Sequence, residues 1–108
     1  MKSIKMVYLY DLYAPLLNDR QREVLELYYN EDQSLAEISE NVGITRQGVR
    51  DCIIKAEALL SGYEDALGLR KKLGDIESRL EELGRKADSC GAGAELTNEI
   101  ELIKNMLL

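Results

Sequence analysis

The stretch Ser34-Leu35-Ala36-Glu37-Ile38-Ser39-Glu40-Asn41-Val42-Gly43-Ile44-Thr45-Arg46-Gln47-Gly48-Val49-Arg50 decides the fold of this chain. Ser34 with Glu37 three residues on is a capping box, in which hydroxyl and carboxylate satisfy the amides that a helix start leaves free. The short helix carries Leu35, Ile38 and Val42 inward, and Gly43 stands where a left-handed residue ends it. Ile44 packs into the turn, and Thr45 caps a second helix from Arg46. A helix-turn-helix needs a small residue at the helix crossing, a turn glycine and apolar residues on the facing sides. Ser39, Gly43 and the set Ile38, Val42, Ile44, Val49 and Cys52 or Ile53 meet those needs, so the unit is expected to span Ser34 to Ser61.

Upstream, a first helix is expected from Ile4 to Tyr13, with Tyr8, Leu9, Leu12 and Tyr13 as its apolar stripe and Pro15 as its stop. Asn18 suits the N-cap of a second helix, with Asp19 in the first turn. Val24, Leu25, Leu27 and Tyr28 give that helix its buried face through about Tyr29, before the polar loop of residues 30–33. Downstream, Leu69, Leu73, Ile76, Leu80, Leu83 and Ala87 alternate spacings of four and three, the heptad seam of pairing helices. The polar run Asp88-Ser89 and the stretch Gly91-Ala92-Gly93 interrupt it, and a last helix from about Ala94 to Leu107 repeats the spacing with Leu96, Ile100, Ile103 and Leu107. Gly68, Gly74 and Gly84 each weaken the long helix by about 1 kcal/mol relative to alanine. The expected class is therefore all-α: a helix-turn-helix domain over residues 1–68, then a helical hairpin over 69–108 that serves for dimerisation.

Composition narrows the function. The chain of 108 residues has no histidine, and its two cysteines form no CxxC pair, so no metal or cofactor is expected. Cys52 reads as a small core residue. No apolar run reaches bilayer length and no signal peptide is recognisable, which points to the cytoplasm and away from membrane insertion. Without a phosphate-cradling loop or a recognisable carboxylate pair, no enzyme is expected; Tyr10 and Tyr13 read as helix packing. Net charge is −6, and residues 34–61 hold three basic against four acidic side chains. Phosphate neutralisation supplies most nucleic-acid affinity, so this balance weighs against strong autonomous DNA binding.

The start of the second helix nevertheless presents candidates for reading DNA. Its N-terminal residues would face base edges in the major groove. Arg46 and Arg50 suit guanine edges and Gln47 an adenine edge, while Thr45 suits phosphate, with Lys55 beside them. Asp51, on the same side, would repel phosphate.

The run from Leu17 to Tyr29, with Ser34–Ile38 and Gly43–Arg50, resembles region 4 of sigma-70-type factors, within the winged-helix-like DNA-binding superfamily. With Leu9–Leu17 ahead of it, residues 4 to 73 resemble the YlxM family of short helix-turn-helix proteins encoded beside the signal recognition particle GTPase. That resemblance implies a regulatory role in the signal recognition particle pathway, with its protein or RNA as partner. The residues themselves leave two classes open: a DNA-binding homodimer, or an adaptor whose acidic surface meets a basic partner.

Overall fold

A computed structural model describes residues 2–91 and 93–107 of the chain. Six α-helices follow in order: α1 (Ile4–Tyr13), α2 (Asp19–Leu25), α3 (Leu35–Val42), α4 (Arg46–Leu67), α5 (Leu69–Ser89) and α6 (Ala94–Met106). No strand occurs among the described residues, and none of their helices is long and apolar enough to cross a membrane. The backbone divides into two compact units, Met1–Gly68 and Leu69–Leu108.

In the first unit α4 packs against α1, α2 and α3. Leu9, Val24, Leu25, Ile38, Val49, Ala56 and Leu60 are wholly removed from solvent there. The caps form as the residue types dictate. Asn18 accepts from the Gln21 amide at 2.8 Å, and Gln21 accepts in return from the Asn18 amide at 3.0 Å. Ser34 and Glu37 make the same reciprocal pair, both bonds at 3.1 Å.

Three local readings are corrected. On α1 the buried set is Leu9, Tyr10 and Tyr13, whereas Tyr8 is half exposed. Tyr10 turns inward because its hydroxyl finds acceptors there, the Arg22 carbonyl at 3.3 Å and Glu26 Oε2 at 3.0 Å. The second helix does not run uniformly to Tyr29: after Leu25 the chain widens into a π-helical turn over Glu26–Asn30, closed by the Glu31 amide on the Glu26 carbonyl at 3.1 Å. The wider turn lets the consecutive Leu27, Tyr28 and Tyr29 all pack against the core. Gly68 lies outside the long helix of the hairpin. It is the left-handed cap of α4, with φ +62°, and its amide bonds the Glu64 carbonyl at 2.8 Å.

The second unit is the helical hairpin α5–α6. Leu80, Ala87 and Ile100 are buried in it, with Leu107 packed alongside. The seam is used only in part, since Leu69, Ile76, Leu83, Leu96 and Ile103 keep about two-fifths of their surface.

Candidate nucleic-acid interface

The helix-turn-helix is α3, the turn of residues 43–45, and the first half of α4. Gly43 takes φ +79°, which a side chain would strain, and its amide closes on the Ser39 carbonyl at 2.9 Å. Ser39 does more than keep the crossing small. Its hydroxyl donates to the Ile44 carbonyl at 2.5 Å and so fastens the turn to α3. Of the two alternatives for the packing set, Ile53 enters the core while Cys52 is half-buried at its edge. Burial pushes the Cys52 thiol above its usual range, against the lowering effect of the Arg20 charge, which keeps it protonated at neutral pH.

Thr45 caps α4 by accepting from the Gly48 amide at 3.0 Å. Glycine at 48 leaves this cap uncrowded, since a Cβ there would stand 3.1 Å from Thr45 Oγ1. The cap uses the hydroxyl as acceptor, so its proton stays available to an anion at the helix start.

Beyond the cap, Arg46, Gln47, Arg50, Asp51, Ile54 and Lys55 are all exposed. Their alternating steps of one and three residues put them on one face of α4, opposite buried Val49, Ile53, Ala56 and Leu60. Arg46, Gln47, Arg50 and Lys55 thus share one side of the first half of α4, with Thr45 as its cap. Among the described residues no ion pair engages Arg46, Arg50 or Lys55. Gln47 differs, because its Nε2 donates to Asp51 Oδ1 at 2.8 Å. That bond occupies one proton of the amide and places the acidic group among the basic ones.

Two residues extend the face beyond the sequence expectation. Ile54, 54% exposed, stands in its middle. Its spacing of four from Arg50 makes it visible to helical phase, had an apolar residue been sought on a polar face. Arg20 comes from α2, along a cleft of about 350 Å³ with Asn18 and Gln21 on one wall and Gly48, Asp51, Cys52 and Lys55 on the other. Arg20 holds Glu23 loosely, at 3.9 Å, with both side chains about half exposed. Nothing local in the sequence joins Arg20 to Lys55; the packing of α2 on α4 does.

With this geometry in place, relatives bear on the chain. A model of the UPF0122 family, described as "Putative helix-turn-helix protein, YlxM / p13 like", matches residues 1–100. The chain belongs to this family. A UPF0122 protein of Caldanaerobacter subterraneus subsp. tengcongensis is 49% identical over 78 residues, covering 72% of this chain and 67% of that relative. A UPF0122 protein of Geobacillus kaustophilus is 43% identical over 99 residues, 88% of this chain and 87% of its own. The UPF0122 protein YlxM of Bacillus subtilis is 36% identical over 105 residues, 97% and 96% of the two chains. UPF0122 membership agrees with the helix-turn-helix geometry and names no ligand.

Proposed function

We propose that the chain is a regulatory helix-turn-helix protein that binds duplex DNA through the outer face of α4. The observation that carries this reading is the set Arg46, Arg50 and Lys55, solvent-exposed on one helix face and free of ion pairs among the described residues. Arg46, Gln47 and Arg50 lie at the helix start, where base edges are read, and Thr45 and Arg20 flank them toward the phosphates. Arg46→Ala and Arg50→Ala should each weaken binding to a selected duplex by roughly tenfold, in line with about 1–3 kcal/mol per specific arginine–guanine pair. Lys55→Ala should weaken all duplexes alike and flatten the salt dependence by about one contact. Selection from a random duplex pool at low salt supplies the ligand, and a pool that shows no enrichment overturns the reading.

A second reading is favoured by Ile54 and by the overall charge of −6. An apolar residue ringed by polar ones also suits a protein interface, and an acidic chain suits a basic partner. Here the partner is a protein or RNA of the signal recognition particle pathway, met by the same face of α4. Ile54→Ser, at a side chain outside the buried core, should then reduce capture of the pathway's GTPase by the tagged chain. If that GTPase and its RNA both fail to co-purify with the unmodified chain, this reading fails.

A further inference from the structure

The heptad rows of the hairpin divide cleanly. On α5, Leu73, Leu80 and Ala87 form one row; Leu80 and Ala87 are buried and Leu73 is half-buried. Ile100 and Leu107 are the corresponding row of α6 and pack with it. The alternate row, Ile76 and Leu83 on α5 with Leu96 and Ile103 on α6, is exposed. In an antiparallel pair equivalent heptad positions fall on the same side of the contact, so both uncovered rows share one face of the hairpin. Leu102, 58% exposed, and Met106, 83% exposed, widen that face on the α6 side. A unit of 40 residues with so few side chains buried lies at the size where folding usually needs a further staple or a partner subunit.

Charge selects the occupant. The half of the hairpin away from its turn, residues 69–80 and 103–107, carries five basic and two acidic side chains. The half nearer the turn, residues 81–102, carries two basic and six acidic. Each hairpin therefore runs from positive to negative along its length. A second copy related by a two-fold axis across the bundle sets +3 against −4 twice, whereas a copy aligned in the same direction sets like on like.

We propose that the Ile76–Leu83–Leu96–Ile103 face pairs with the same face of a second copy of this chain, the two hairpins running in opposite directions as a four-helix bundle. The pairing holds whether the α4 face meets DNA or protein.

Sedimentation equilibrium of the full chain at tens of micromolar should give twice the 12.2 kDa of one chain. Leu83→Glu and Ile103→Glu should each weaken association at least tenfold. A one-chain mass for the unmodified protein overturns the proposal. So does a dimer indifferent to both substitutions. Direction is tested in a chain with its apolar face intact, using the exposed thiol of Cys90 at the turn end. The 21 residues of α5 span about 30 Å, so Lys72→Cys puts a second thiol far from Cys90 in its own hairpin. In the proposed pairing that thiol lies near Cys90 of the other copy, and a short bismaleimide should join position 72 of one chain to position 90 of the other. Cross-linking of Cys90 to Cys90 in the unmodified chain overturns the antiparallel arrangement.

Discussion

Gln47 Nε2 donates to Asp51 Oδ1 at 2.8 Å across one turn of α4, so the single acidic group on the basic face is tied to the residue best suited to read adenine. On the DNA reading, Asp51→Asn removes the repulsion of one charge from nearby phosphates while keeping an acceptor for Gln47. Affinity for a selected duplex should rise about threefold at low salt, and the gain should shrink as screening increases. Titrations at two salt concentrations check this; an unchanged affinity places Asp51 away from the phosphates.

The cap of α4 yields a thermodynamic cycle. Thr45→Ala should destabilise the first unit by about 1 kcal/mol, measured by urea unfolding. Gly48→Ala adds about 1 kcal/mol of helix propensity but brings a Cβ to 3.1 Å from Thr45 Oγ1, so in the unmodified chain its effect should be near zero. In the Thr45→Ala background the conflict is gone, and the same change should stabilise by about 1 kcal/mol. Equal effects in both backgrounds would show that the crowding relaxes freely.

Two tyrosines couple stability to alkaline pH. Burial, then the hydrogen bond to Glu26, pushes Tyr10 up to about 12 from its usual 10. Burial and the Tyr29 hydroxyl bond to Glu57 raise Tyr29 in the same direction. A raised phenol in the folded state contributes stability that is full below pH 10 and lost as pH climbs through the folded value. Urea midpoints should fall between pH 10 and 12, and phenolate absorbance of the folded chain should show late-ionising groups. Tyr10→Phe should shrink the fall in midpoint.

The hairpin glycines can be replaced without crowding. A Cβ at Gly74 or Gly84 meets no atom within 4 Å outside its own helix backbone and chain neighbours. Gly74→Ala and Gly84→Ala should each raise the thermal stability of the hairpin by about 1 kcal/mol. Neither position belongs to the exposed Ile76–Leu83 row, so the association constant should change only through the added helicity.

What the sequence by itself determined is the local grammar. Ser34 with Glu37, Gly43 and Thr45 specify a helix, a stop and a new start, because caps and left-handed turns are satisfied by residues three or four positions apart. The breaks at Pro15 and at the glycines after α5 followed for the same reason, as did the placing of Arg46, Gln47, Arg50 and Lys55 on one helix capped by Thr45. Only the tertiary structure decided matters that depend on partners distant in sequence. Tyr10 displaced Tyr8 because acceptors on the following helix reach it. The turn after Leu25 is wide where the consecutive Leu27, Tyr28 and Tyr29 all pack against the core, and Arg20 joined the α4 face because α2 packs there. In the heptad seam periodicity marked both rows as apolar, but which row the hairpin buries depends on how the two helices rotate against each other, a choice that no spacing within one helix encodes.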